Sequence, residues 1–452
     1  MLIFAMSELN LSFIADVFQV ALPCPDFVIN KITTDSRTVQ QNDVFFALSG
    51  EKFDGHDFVD EVLSHGAVCV VSRADCAEKS GCLKVDDTLQ ALGVLAKAWR
   101  NKNAHIPVLA ITGSSGKTTV KEMTAAILRH KFGKNAVLAT QGNLNNHIGL
   151  PLTLLNLRQN HRVAVLEMGM NHFGELTYLT HIANPNIALI NNALNAHIGN
   201  DFNGVADIAK AKSEIYAGLN NGMAIYPFDD ANKSIFQAAC GTNQQRTFGI
   251  KNGDIFADNV QLHPTKSEFS LNIKGEQVTV QLPAAGYHNV LNAAAAAALC
   301  ADCVSPNEIA AGLKDYKPVG SRLRMISKDL GVQIIDDTYN ANPDSMKAAI
   351  DVLSAFNAPR IFVMGDMGEL GTQAADFHCE IGEYAKNKGI EYALFTGELS
   401  QNAADAFGEN GKWFDNKNAL TEYLKSLITP QTTVLIKGSR FMKMEEVVKA
   451  FE

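Results

Sequence analysis

The sequence predicts an α/β protein of three domains, and three observations carry that reading. At 452 residues the chain is longer than one core organises, given roughly 150 residues per domain. Short apolar runs alternate with helically spaced apolar residues over most of its length, the mark of parallel sheets covered by helices. The stretch Thr112-Gly113-Ser114-Ser115-Gly116-Lys117-Thr118-Thr119 sets a glycine-rich turn, a lysine and hydroxyls between an apolar run and a helical pattern. These place a small α/β module at 1–86, a central parallel-sheet domain with a β-rich patch at 87–315, and a C-terminal Rossmann-like α/β domain at 316–452.

The elements follow in order. The first module mixes the apolar runs 44–48 and 67–71 with helices and ends near Asp86 and Asp87. A helix from Thr88 to about Lys102 leads into the run 108–111, a buried strand that feeds the glycine loop. Val120, Met123, Ile127 and Leu128 recur at helical spacing beyond it, so the loop opens a helix. Runs 163–166 and 187–190 continue the sheet. Phe269, Leu271 and Ile273, then Val278, Val280 and Leu282, alternate with period two around Gly275, a hairpin signal. A helix over 289–300 carries an alanine run at 293–298, suited to close packing on a sheet, and 316–320 reads as a linker. Beyond it the runs 332–335, 361–364, 392–395 and 434–436 are four further strands separated by helices.

Composition narrows the class. With 46% hydrophobic residues the chain reads as soluble and globular, and its net charge of −9 argues against nucleic-acid binding, which favours a basic excess. No apolar run reaches 18 residues, and no lysine or arginine precedes Lys31, so neither a membrane span nor a secretory basic region is expected and the reading is cytoplasmic. Eight scattered cysteines include one C-x-x-C, Cys300 and Cys303, without a partner pair at zinc-site spacing; reduced thiols are expected.

The chemistry gathers where strands end. The first N–H groups of a helix lack intrahelical partners, so Gly113, Ser114, Ser115 and Gly116 would wrap phosphate oxygens with Thr119 beside them. Lys117 would reach the outer phosphates and the Thr118 hydroxyl would ligate magnesium. The loop is shorter than the common phosphate-loop pattern, because Ile111 stands where that pattern has its first glycine. Open α/β sheets bind ligands beyond the carboxyl ends of their strands, which singles out Glu167, Asn191, Asn192, His197, Asp336, Asp337 and Asn340. Taken singly, each is more often a turn or cap residue, and it is their coincidence with a phosphate loop that points to a site. His288, Asn289 and Asn292 open the alanine-rich helix at a place suited to a nucleotide, and Arg322 and Arg324 offer guanidiniums at a domain junction. Nothing in its composition marks Lys212, which reads as solvent-exposed.

At this point the chain resembles the Mur ligases, the ATP-dependent amino-acid and peptide ligases of peptidoglycan precursor synthesis. The segments that carry the likeness are TGSSGKTT, GNLNNHIGLP from Gly142 to Pro151, EMGMNHFGEL from Glu167, IAKAKSEIY from Ile208, GYHNVLNAAAA from Gly286, SRLRM from Ser321, DDTYNANPDSM from Asp336, GDMGELG from Gly365 and KGSR from Lys437. The resemblance implies ligation of D-alanyl-D-alanine to UDP-N-acetylmuramoyl-tripeptide. The resemblance implies that the first domain binds the uridine nucleotide, with Ser36 and Arg37 on that substrate. It implies ATP and two magnesium ions, with Lys117 on the γ-phosphate and Thr118, Glu167 and His197 around metal. Lys212 becomes the carbamylated lysine that holds the second metal, since carbon dioxide turns a cationic amine into an anionic oxygen ligand. Arg322 and Asp337 would contact ATP from the C-terminal domain, and His288, Asn289 and Asn292 would line its pocket. Asn143, Asn145, Asn146, Asn342, Asp344 and Ser345 are expected on substrate, and Lys437 or Arg440 on the dipeptide's carboxylate.

The implied reaction joins two anions first. The tripeptide carboxylate attacks the γ-phosphate, and two unit charges at 4 Å repel by about 4 kcal/mol at an effective dielectric near 20, some three powers of ten in rate. Lys117, the magnesium ions and Arg322 are the residues and ligands that would cancel this. A monomer acting on these two substrates, without nucleic acid or membrane insertion, is the expectation. A folylpolyglutamate-synthase-like ligase and a non-catalytic ATP-dependent switch are the alternatives.

Overall fold

A computed structural model describes residues 8–195, 198, 201–327 and 331–452. Three sheets organise the described residues, with a two-stranded ribbon beside the first. The N-terminal sheet is parallel, in the order Ile32–Thr33, Val44–Phe46, Val68–Val71, Cys82–Lys84. Strand Val68–Val71 is buried throughout, as continuous apolar runs in parallel sheets are.

The central sheet has nine strands, ordered Glu276–Leu282, Ser267–Ile273, Ile255–Leu262, Gln244–Ile250, Met223–Pro227, Ile187–Ile190, Val108–Thr112, Val163–Glu167, Val137–Ala139. It is parallel as far as Ile255–Leu262; the last two strands are antiparallel, closed by the expected hairpin around Gly275. The β-rich patch is therefore an extension of the main sheet and shares its faces. One face is covered by the helices Lys117–Phe132, Tyr287–Cys300 and Pro306–Lys314, whose apolar stripes form one core. Ala293 to Ala298 are fully buried there, because methyl side chains let the helix lie close on the strands.

Helix Thr88–Lys102 covers the other face and ties two sheets together. Its N-cap Asp87 accepts from the N–H groups of Leu89 and Gln90. Leu92, Leu95, Ala96 and Trp99 belong to a core that runs from Leu11, Ile14 and Phe46 of the N-terminal module to Leu150, Leu166 and Leu179 of the central one. The Thr88 hydroxyl donates to the Ala47 carbonyl at 2.9 Å, and Trp99 stacks edge-on with Phe13.

The C-terminal sheet is ordered Arg324–Ser327, Gln333–Asp337, Thr433–Lys437, Arg360–Gly365, Tyr392–Thr396, Gly411–Phe414, parallel except at its first strand. Two apolar clusters flank it. The strands at both edges were not among those read from the sequence; Gly411–Phe414 has no buried residue and so shows no apolar run.

Candidate active site

Strand Val108–Thr112 lies between Ile187–Ile190 and Val163–Glu167, both later in the chain, so the crevice beyond its end is the sheet's switch point. The glycine loop sits there and opens helix Lys117–Phe132. Gly116 has φ 77°, and a Cβ on it would stand 2.6 Å from both the Asn191 amide nitrogen and the Asn292 amide oxygen. Glycine is required by backbone and by space.

A cavity of about 1790 Å³ opens in front of the loop, walled by the central and C-terminal domains. Lys117 Nζ donates to the Gly113 carbonyl at 2.6 Å, folding over the loop, and burial lowers its pKa against the opposing pull of Glu167. The Thr118 hydroxyl donates to Glu167 Oε2 at 2.8 Å, while Asn145 donates to Glu167 Oε1 at 2.8 Å. A hydroxyl and a buried carboxylate thus meet at a helix N-terminus, a hard-oxygen pair that suits magnesium beside phosphate. Among the described residues no cluster of three His, Cys, Asp or Glu is placed to hold a metal by protein alone.

The C-terminal domain docks on the same loop. Arg322 Nη2 donates to the Thr118 hydroxyl at 3.1 Å, and its guanidinium stacks 3.6 Å over the Tyr339 ring. Asn342, the N-cap of helix Pro343–Ser354, donates to the Ser115 hydroxyl at 3.0 Å while its own oxygen accepts from Ser345 N–H.

The sequence-predicted residues divide clearly. Ser114, Ser115, Gly116, Lys117, Thr118, Thr119, Asn143, Asn145, Asn146, Glu167, His288, Asn289, Asn292, Arg322, Asp337, Asn342, Asp344, Ser345, Lys437 and Arg440 share the cavity wall. Gly113 is not on that wall; its carbonyl accepts from Lys117 Nζ. Ser36 and Arg37 do not reach this cavity; Arg37 is exposed and pairs with Asp35. His197 lies outside the described residues. Lys437, expected as a partner for a dipeptide carboxylate, spends its ammonium on Asp337 at 2.6 Å and the Asn340 carbonyl at 2.8 Å. Arg440 keeps a largely exposed guanidinium, 3.1 Å from Glu445. Asn289 and Asn292 use their amides internally, on the Ala285 carbonyl and on each other. Burial beside Lys437 lowers the His288 pKa to about 4, leaving a neutral imidazole on the wall.

Lys212 corrects the compositional reading: it is 1% exposed. On helix Val205–Ser213 it stands two residues from Lys210, which pairs with Asp207 in solvent. Two residues turn the helix by about 200°, so the second lysine faces the core. Desolvation, aided by the nearby Lys117 charge, drives its pKa well below the ordinary lysine value.

Two residues singled out only as strand-end polars prove central. Asn191 Nδ2 donates to the Ser115 carbonyl at 2.9 Å and to Asn292 Oδ1 at 3.0 Å. Asn192 Oδ1 accepts from Ser115 N–H at 2.9 Å, and its carbonyl accepts from Ser114 N–H. The signal was an asparagine pair closing an apolar run; which loop it braces depended on strand order.

Fold and site together define a phosphate-loop enzyme whose C-terminal domain closes on the loop. Family models match three stretches: the Mur ligase middle domain over 111–300, the Mur ligase glutamate ligase domain over 321–440, and the Mur ligase family catalytic domain over 28–100. The UDP-N-acetylmuramoyl-tripeptide–D-alanyl-D-alanine ligase of Haemophilus influenzae is 41% identical over 454 residues, covering 98% of each chain. A crystal structure of MurF from Acinetobacter baumannii superposes with a TM-score of 0.91 at 37% identity, covering 98% of this chain and 99% of that one. The MurF ligase of Thermotoga maritima, solved with ADP, gives a TM-score of 0.81 at 28% identity over 93% and 96% of the two chains. The chain belongs to the Mur ligase family.

Proposed function

We propose that this protein is an ATP-dependent ligase that joins D-alanyl-D-alanine to UDP-N-acetylmuramoyl-tripeptide through an acyl phosphate, in the cytoplasm. The observation that carries the chemistry is the contact of Arg322 and Asn342 with Thr118 and Ser115: two domains meet on the phosphate loop, enclosing the space where a carboxylate must meet a γ-phosphate. Full-length likeness to the ligases named above supports the substrates.

Residue roles follow from placement. Lys117 sits at the loop to neutralise outer phosphates, and Arg322 brings a second cation from the opposite wall. Thr118 and Glu167 would hold magnesium, with His197 assigned there from its motif; the ion would supply positive charge to offset the repulsion between the two anionic reactants. His288, Asn289 and Asn292 border the nucleotide, and Asp337 fixes Lys437 beside it. Arg440 is the cation for the dipeptide's carboxylate, since its guanidinium stays largely exposed beside Glu445 whereas Lys437 is buried against Asp337. Ser36 and Arg37 bind the uridine end on the module 1–86, away from the reacting centre, with 87–315 and 316–452 as the ATP and ligase domains.

Lys212 is carbamylated in this reading. Only an unprotonated amine attacks carbon dioxide, and burial, with the Lys117 charge nearby, shifts this amine toward its neutral form. With ¹³C-labelled bicarbonate, wild type should show a carbamate resonance that Lys212→Ala lacks; identical spectra would refute the assignment.

Phosphate release decides the function. Purified protein given ATP should release phosphate only when both the tripeptide nucleotide and D-alanyl-D-alanine are present. Release with a folate and glutamate instead, or nucleotide binding without turnover, would favour the alternatives.

A further inference from the structure

The second half-reaction needs a proton acceptor. A dipeptide's α-amino group titrates near 8, so at neutral pH it arrives mostly as an ammonium, which cannot attack a carbonyl. Four carboxylates on the cavity wall are already committed. Glu167 is held by Thr118 and Asn145, Asp337 by Lys437, Glu175 by the N–H groups of Asn171 and His172, and Asp230 by that of Asn232.

Asp344 differs. It lines the cavity, yet its Oδ2 is buried and has no hydrogen-bond partner. A buried acceptor with nothing to accept from is costly, and on a cavity wall it is open to a donor that enters the site. Its position is fixed from both sides. It lies in the first turn of helix Pro343–Ser354, two residues after the Asn342 that bonds Ser115 of the phosphate loop, and the Asn195 N–H of the central domain donates to its carboxylate. Asp344 is therefore placed on the wall facing the phosphate loop when the domains are closed.

We propose that Asp344 is the general base that takes the proton from the incoming dipeptide's ammonium. The inference rests on the ligase reading above. The ammonium donates an N–H to the Asp344 carboxylate, and the proton passes to that oxygen. The freed lone pair attacks the acyl-phosphate carbonyl carbon and the C–N bond forms; as the C–O bond to phosphate breaks, the nitrogen's second proton passes to the departing phosphate, so the amide N–H remains and hydrogen phosphate leaves. The carboxylic acid then returns its proton to solvent.

The surroundings suit the task. Burial raises the Asp344 carboxyl above the usual carboxylate range, narrowing its gap to the amine. Lys347, one turn along the helix, pulls the other way, and Glu380, 2.6 Å from Lys347, offsets it.

The test separates the two half-reactions. Hydroxylamine, neutral at pH 7.5, captures an acyl phosphate as a hydroxamate without needing a base. Asp344→Asn should lower dipeptide ligation by at least ~10²-fold while hydroxamate formation from ATP and tripeptide nucleotide falls far less, and Asp344→Glu should recover part of the ligation rate. Wild-type ligation should also fall on the acid side of its pH profile, a limb that Asp344→Asn lacks. Equal losses in both assays, or ligation near wild type, would overturn the assignment. Wild-type protein that forms no hydroxamate would instead overturn the ligase reading, and the proposal with it.

Discussion

Lys117 shows how much one side chain is asked to do. It is the cation nearest the loop, and removing a preorganised electrostatic stabiliser typically costs two to three powers of ten. Lys117→Ala is expected to lower turnover by at least ~10²-fold in a phosphate-release assay; normal turnover would remove the loop from the mechanism. His288 makes a prediction about stability. Its folded pKa of about 4 lies below the ordinary 6.5, so between these values the unfolded chain binds a proton that the native state refuses. Stability therefore rises with pH across that window, and acidification through it costs up to about 3 kcal/mol. Denaturant melts of His288→Asn should show a shallower loss between pH 6.5 and 4; an unchanged slope would contradict the assignment. Residues whose role is local chemistry, such as Gly116 and Thr118, were legible in the sequence. Lys212 was not, because side-chain burial depends on what packs against its helix.

At the scale of elements, the short phosphate loop is braced from outside. A loop with fewer residues has fewer internal hydrogen bonds, and the end of strand Ile187–Ile190 supplies the missing ones through Asn191 and Asn192. Asn192→Ala would leave Ser115 N–H without its partner, costing about 1–3 kcal/mol. The expected result is a lower unfolding midpoint together with weaker ATP binding by calorimetry; a loss of stability alone would make Asn192 merely structural. Strands buried on both faces, such as Val108–Thr112 and Val163–Glu167, announced themselves as apolar runs. Arg324–Ser327 and Gly411–Phe414 did not, because an edge strand needs fewer apolar residues.

Over the whole molecule, several contacts among the described residues hold the C-terminal domain on the central one. Arg322 and Asn342 meet the loop, and a parallel bridge joins Ile198 to Leu370. The pair Arg322→Ala and Asn342→Ala should shift the population toward open forms, seen as a larger radius of gyration in solution scattering and as a loss of turnover. Unchanged scattering would show that the domains are held shut by other surfaces.

The sequence by itself determined the phosphate loop, the alternation that builds parallel sheets, and the family, because these follow from residue type and spacing along a short stretch of chain. Only the tertiary structure decided that Lys437 belongs to Asp337, that Lys212 is desolvated and that Asp344 keeps an unpartnered oxygen. Each of those facts depends on atoms brought together from distant parts of the chain, where burial and a neighbouring charge set what a group can do.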